Sequence, residues 1–303
     1  MEKWVDQVHL MSVFVAVGEE EGFAAAARRL DLSPAAVTRA IAALEEKLGV
    51  KLLLRTTRNV RLTEAGRRYL DDSRNILSSI AEANEAAAGV NSAPKGNLSV
   101  TAPVLFGKTF VMPGIVRYLK AYPEVEVSAL FLDRVVNLVE EGIDVAVRIG
   151  HLPDSSLKAV RVGQVRRVLC ASPEYLARHG VPRHPDELLR HTIVAASGVT
   201  PRVEWKFGAD DDPTMVRLRP RLTVTSNDAA IAAAVMGLGI CRLLSYQIAD
   251  ELAAGRLKIV LADHEEAPWP VHLVHRESKF GSSKVRNFID LLAGELKAHP
   301  HLD

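Results

Sequence analysis

Two apolar stripes of helical period run through the first fifty residues. Phe23, Ala26, Ala27 and Leu30 fall at i, i+3, i+4 and i+7, which is one buried face of a short helix. Asp31-Leu32-Ser33-Pro34 interrupts it. Ser33 is a good N-cap and Pro34 suits the first helical position, so a second helix is predicted to start there. In that helix Val37, Ile41, Leu44 and Leu48 make the inward stripe; Ala35, Arg39, Ala42 and Glu46 lie opposite, with Thr38 at the flank. Residues 4–17, with Leu10, Phe14 and Val17 on one face, predict a supporting helix upstream. Gly49 ends the second helix, and KLLLRTTRNVRL (Lys51 to Leu62) predicts a short strand, a turn at Thr57-Arg58-Asn59 and a returning strand.

The next stretch changes period. Thr63 caps a long helix with Glu64 in its first turn, a favourable charge at the positive end of the helix dipole. Running to Gly89, it would span roughly 40 Å at 1.5 Å per residue. Gly66, Tyr69, Ser73, Ile76, Ile80, Ala83, Ala87 and Val90 alternate spacings of three and four, a seam suited to a paired helix or to packing on its own domain. Asn91 to Gly96 has a hinge composition. Beyond it, strands alternate with helices: NLSVTA, a helix from Val104 to Ala121, VEVSALFL, a helix over VVNLVEEG, then IDVAVRIG. That alternation predicts a parallel sheet with crossover helices. A second α/β unit begins near Gln164, and WPVHLVHR with a closing helix from about Ser282 to Lys297 could return to the first.

Charge sharpens the reading of the N-terminal part. From Arg28 to Arg68 ten basic residues (Arg28, Arg29, Arg39, Lys47, Lys51, Arg55, Arg58, Arg61, Arg67, Arg68) face four acidic ones (Asp31, Glu45, Glu46, Glu64). The window carries +6 in a chain whose total is +1, so everything else sums to −5. A basic patch on two helices and a hairpin is a phosphate-binding surface, and a slim Arg-bearing helix fits a DNA major groove. The 303 residues suffice for two or three domains. There is no apolar leader and no run of about twenty apolar residues, and the two cysteines, Cys170 and Cys241, are far apart in sequence. These features predict a cytoplasmic chain without a membrane span or a disulfide framework.

The run LSPAAVTRAIAALEEKLGVKLLLRTTRNVRLTEAG resembles the DNA-binding segment of LysR-type transcriptional regulators, and the likeness extends more loosely over the whole chain. Two departures stand out: Pro34-Ala35 replaces the more usual Gln-Pro or Gln-Ser, and Leu53 stands where Phe is common. The resemblance implies an all-α winged helix-turn-helix domain at residues 1–62, a dimerising linker helix at 63–90 and a hinge at 91–96. It further implies an α/β effector-binding domain at 97–303, built like the periplasmic solute-binding proteins. Its subdomain I would comprise about 97–163 and 268–303, and its subdomain II about 164–267. The expected partners are double-stranded DNA, a small-molecule effector, a second copy of the chain in a dimer or tetramer, and RNA polymerase. Thr38 and Arg39, with Ala35 among the DNA-binding residues, would meet the groove, Ser33 would cap the helix and touch phosphate, and Arg55, Arg58 and Arg61 would serve the wing and the backbone.

Candidate effector chemistry sits where strands hand over to helices. Thr101-Ala102-Pro103 precedes Val104, and Thr225-Ser226-Asn227 precedes the next helix, so both place polar groups beside unsatisfied backbone N–H groups that favour anions. Arg148 could add a bidentate partner for a carboxylate, or could pair with Asp144 or Asp133. The resemblance puts the effector at Thr101, Pro103, Val104, Arg148, Ser197, Thr200 and Asn227; the alternative for each hydroxyl or amide is plain helix capping. No cofactor is expected. GxSxG, Walker and HExxH signatures are missing, and His272 and His275 should point to opposite faces of a strand. Cys170 and Cys241 read as buried apolar thiols without an adjacent Cys partner, the alternative being a redox pair. An α/β enzyme or solute-binding protein with an accessory DNA-binding segment is the competing reading. Another keeps DNA binding but makes the C-terminal half an oligomerisation module only.

Overall fold

The computed structural model describes residues 2–55, 60–87, 93–138, 140–196, 203–209, 211, 213–276 and 282–302. The chain divides into two compact units, one of Met1–Ser92 with Phe280–Ser282 and one of Ala93–Lys279 with Ser283–Asp303.

In the first unit, α1 (Glu2–Glu19), α2 (Phe23–Arg29) and α3 (Pro34–Leu48) are followed by a hairpin of β1 (Leu53–Arg55) and β2 (Val60–Leu62), then by α4 (Glu64–Ala87). Val13, Phe14 and Val17 of α1, Ala26 and Ala27 of α2, and Val37, Ile41 and Leu44 of α3 are buried together with Leu52. Both expected apolar stripes therefore meet in one core, except at their end. Leu48 is exposed, and the neighbouring buried position is taken by Glu45. The backbone leaves α3 through a left-handed Gly49 (φ 68°).

The start of α4 also belongs to this core. A Cβ on Gly66 would lie 2.0 Å from the Leu52 carbonyl oxygen, so only glycine admits that approach. Tyr69 packs on Phe14 at 5.5 Å between ring centroids and accepts a hydrogen bond from Gln7, while Ser73 is fully buried. The first two turns of the predicted seam thus pack on their own domain. Ile76, one step further, is exposed.

The second unit holds two mixed five-stranded sheets. Its elements in order are β3 (Gly96–Ala102), α5 (Val104–Phe106), a π-helical turn (Gly107–Val111), α6 (Met112–Ala121), β4 (Val125–Phe131), β5 (Val145–Ile149) and β6 (Leu157–Val165). Next come β7 (Arg167–Ala171), α7 (Pro173–His179), β8 (Ile193–Ala196), β9 (Val203–Phe207), β10 (Thr214–Leu218) and β11 (Leu222–Val224). The chain ends with α8 (Asn227–Val235), β12 (Ile240–Leu244), α9 (Ala249–Ala253), β13 (Lys258–Val260), β14 (Trp269–Arg276) and α10 (Ser283–Lys297). One sheet has the order β4-β3-β5-β14-β6 and the other β11-β8-β12-β7-β13; β9 and β10 form a separate hairpin.

The purely parallel sheet expected from the alternation is not what forms. β3 runs parallel to β4 and β5, but β14 is antiparallel to both β5 and β6; in the second sheet β12 and β13 are antiparallel to β7. The reason is topological. The chain leaves the first lobe at Val165–Arg167 and returns as β14, which enters from the other lobe and runs back through the first sheet. No helix forms among the described residues of VVNLVEEG: 135–137 are irregular and 138 and 140–142 form turns, with the Arg134 guanidinium donating to both Glu141 oxygens at 2.9 and 2.7 Å. Eight residues rich in β-branched valine cannot offset the cost of nucleating a helix.

Cys170 and Cys241 are buried, as their apolar strands suggested, yet they are cross-strand partners with sulfurs 3.4 Å apart. The expectation of no adjacent Cys is corrected, because antiparallel pairing of β7 with β12 brings together residues 71 apart in sequence. Burial and the neighbouring thiol raise the Cys241 pKa well above its ordinary value, the Cys170 hydrogen bond being the largest cause.

Candidate nucleic-acid interface and effector cleft

Helix α3 is built to present one face. The Ser33 hydroxyl accepts from the Ala36 N–H at 3.2 Å, and Pro34 occupies the first turn. Val37, Ile41 and Leu44 anchor it inward with no exposed surface. Ala35, Arg39, Ala42, Ala43 and Glu46 are exposed, and Thr38 is half-buried. Small side chains around Arg39 leave room for close approach to a groove floor. Arg39 makes no ion pair among the described residues.

Not every basic residue of the N-terminal patch is equally available. Arg29 pairs with Glu19 at 2.6 Å, Arg68 with Glu64 at 2.5 Å and Lys51 with Glu45 at 2.6 Å. Arg61 is exposed on β2, opposite Leu54 of β1. Arg58 lies outside the described residues, as does the side chain of Arg55.

Glu45 is the residue that sequence reasoning missed here. Its Oε1 accepts from the backbone N–H groups of Leu52 (2.9 Å) and Leu53 (3.1 Å), tying the end of α3 to the first strand of the hairpin. Burial pushes its pKa up, but the Lys51 ammonium and these two N–H groups outweigh that and leave the carboxyl below its ordinary value. In the sequence it is only one of the four acidic residues of the window; its partners appear only once residues 51–53 fold back to it.

In the second unit, two crossovers join the lobes, and charge ties them together. Arg166 donates to both oxygens of Glu265 at 2.8 and 2.9 Å. Arg167 and Arg242 share Oε1 of Glu266 at 2.7 and 2.8 Å, and Arg167 stacks 4.2 Å over the Trp269 ring. Arg242 is almost completely buried; desolvation, with the Arg167 charge beside it, brings its pKa down to about 10. Tyr246, from the second lobe, packs edge-on against Phe106 and Phe110 of the first at 5.3 and 5.4 Å.

Of the expected effector residues, Val104 and Asn227 are brought to one place, both donating to Asp133. The Val104 N–H, at the start of α5, donates to Asp133 Oδ1 at 3.0 Å, and the Asn227 side-chain amide, at the start of α8, donates to Asp133 Oδ2 at 3.2 Å. Pro103 is the N-cap of α5. Thr101 is buried and its hydroxyl donates to the Leu130 carbonyl at 2.7 Å, within the first lobe's own sheet. Arg148 donates to the Val136 carbonyl at 2.5 Å; burial lowers its pKa against the opposing pull of Glu141. It pairs with neither Asp133 nor Asp144, whose carboxylate accepts from the Ser99 N–H at 2.8 Å. Ser226 caps α8 by accepting from Ala229 at 3.3 Å, as the capping alternative foresaw. Ser197 and Thr200 lie outside the described residues. His272 and His275 join no group of metal-ligating residues among the described residues.

Comparison with known proteins places this architecture. Residues 8–67 match the model of the bacterial regulatory helix-turn-helix protein, lysR family, and residues 91–297 match the LysR substrate binding domain. The chain belongs to the LysR family. It is a LysR-type transcriptional regulator with a winged helix-turn-helix domain and an α/β effector-binding domain. It is 33% identical over 298 residues to the HTH-type transcriptional regulator YhjC of Escherichia coli, covering 97% of this chain and 99% of that one. It is 32% identical over 287 residues to the HTH-type transcriptional regulator CrgA of Neisseria meningitidis, covering 94% and 96%. The solved structure of CrgA superposes with a TM-score of 0.61 over 95% of this chain and 98% of that chain, at 32% identity. The full-length structure of the Vibrio cholerae virulence activator AphB gives 0.59 over 94% and 98%, at 27% identity. These relatives are transcription regulators, and LysR-type regulators bind DNA and small-molecule effectors. No helix among the described residues is long and apolar enough to cross a membrane.

Proposed function

We propose that this LysR-type regulator reads a pseudo-palindromic duplex site from the cytoplasm as a dimer or tetramer and changes its hold on that site when a small anionic metabolite binds between the two lobes. Ala35, Thr38 and Arg39 meet base edges, Ser33 caps α3 and touches phosphate, and Arg55, Arg58 and Arg61 track the backbone. The DNA reading rests on the exposed face of α3, where Arg39, without an ion pair among the described residues, stands among alanines. Paired protomers would set two such helices about one helical turn apart, roughly 34 Å.

The anion reading rests on one observation: a carboxylate, that of Asp133, already sits on the Val104 N–H and the Asn227 amide. Pro103 and Val104, Arg148 and Asn227 line this site, Thr101 positions the strand end beneath it, and Ser197 and Thr200 complete it by resemblance. A ligand moves the lobes only by binding one arrangement more tightly than the other. RNA polymerase is the further partner of such a regulator. The test is selection from random duplexes, repeated with small carboxylates. A recovered inverted repeat whose protection changes with one carboxylate supports both halves. Absence of any selected sequence removes the first, and turnover of the carboxylate would favour the enzyme reading.

A further inference from the structure

The donors expected to attract an effector are occupied in the free chain by a residue of the chain itself. Asp133 follows β4 in the first lobe, is exposed, and reaches both the start of α5 and, across the junction, Asn227 at the start of α8. Two anions cannot share these donors: like charges a few ångströms apart strongly disfavour each other. Asp133 also costs little to release, because its carboxylate is already largely solvated. At the same junction Tyr246 of the second lobe is buried against Phe106 and Phe110, the turn of chain that begins at Val104.

We propose that Asp133 is the specificity-determining residue of the cleft: an intramolecular carboxylate that holds the lobes together through Asn227 in the free protein and that an anionic effector must displace from the Val104 N–H and the Asn227 amide. The proposal rests on the anion reading above. It deepens that reading in two ways. The cleft accepts a carboxylate that can outcompete a tethered one, and rejects weaker anions. Binding is also coupled to the lobes, because displacing Asp133 breaks an inter-lobe hydrogen bond that the effector must replace. The apparent affinity is the intrinsic one reduced by the fraction of molecules in which Asp133 is away.

The experiment compares the full chain with Asp133→Ala and Asp133→Asn, titrating acetate, succinate, benzoate and, as a charge control, methylammonium by calorimetry, with hydrogen exchange at the Val104 amide measured without ligand. If Asp133 is away about a tenth of the time, Asp133→Ala binds the carboxylates about tenfold more tightly. Asp133→Asn should lie between, since it retains an acceptor without the charge, and Val104 exchange should quicken in the alanine variant. Equal carboxylate binding by all three proteins, or unchanged Val104 exchange, overturns the role of Asp133 while leaving the anion reading in place. Carboxylate binding by none of them removes both. Methylammonium bound by the parent and lost in Asp133→Ala overturns both as well, making Asp133 a cation-recognition group.

Discussion

Replacing Glu45 by alanine should uncouple the end of α3 from the hairpin without touching any residue assigned to DNA. Glu45 has two arms. Oε2 pairs with Lys51, but Lys51 is 77% exposed, so this arm contributes on the order of 0–1 kcal/mol. Oε1 serves two backbone donors, Leu52 and Leu53, both buried, and leaving each without an acceptor costs about 1–3 kcal/mol. Water admitted from the exposed Val50–Lys51 side offsets part of this, so the net loss should be about 2–4 kcal/mol. That corresponds to roughly 30- to 700-fold faster exchange of the Leu52 and Leu53 amides if they open with the unit. Glu45→Gln keeps an acceptor oxygen and loses only the charged arm, so it should stay within about 1 kcal/mol of the parent. The pair of variants is read by amide exchange and by denaturation of the N-terminal unit. Acid adds a sign. Because the folded carboxyl sits below its ordinary value near 4.5, its contribution is complete above that pH and is lost as pH falls through the folded value. Glu45→Gln should therefore flatten the acid limb. An alanine variant within about 0.5 kcal/mol of the parent, or a glutamine variant as damaged as alanine, would mean that Glu45 does not hold the hairpin.

Further expectations follow from the same geometry. Arg39→Ala should cost about 1–3 kcal/mol of discrimination at one base pair, whereas Arg61→Ala should weaken all duplexes alike and make the salt slope shallower by about one; binding titrations on selected and random DNA at several salt concentrations separate the two. Gly66→Ala forces a methyl onto the Leu52 carbonyl and should destabilise the N-terminal unit by at least 1–3 kcal/mol, roughly, seen as a lower denaturation midpoint. Glu266→Ala strands the buried Arg242 and should cost about 3–5 kcal/mol in the C-terminal unit, with Glu266→Gln much milder; equal losses would mean that the charge pairing between crossovers is unimportant.

Local pattern was enough for the N-terminal head. Period, capping by Ser33 and Pro34, the Gly49 stop and the clustering of arginine are all written between Phe23 and Arg68, and the helices, the hairpin strands and the exposed Arg39 face emerged where the pattern placed them. Helical period reports which residues share a face, and burying such a face is the dominant local drive. What the pattern left open was what covers each face. Glu45 and Leu48 exchanged burial because the chain after Gly49 folds back over one and not the other. Tyr69 and Ser73 turned out to serve their own core.

In the C-terminal unit the order of elements was legible, but pairing was not. Strand direction depends on which lobe the chain is leaving, so β14 reversed the expected parallel sheet, and β7 met β12 to set Cys170 against Cys241. The polar groups at Val104 and Asn227 could be named in advance as anion donors. That Asp133 reaches both could not, since it lies 94 positions before Asn227 and only the packing of the two lobes brings them together. Sequence determines what each segment can bury, cap or donate; the tertiary fold decides which distant partner takes up the offer, because contacts across long loops leave no period in the chain.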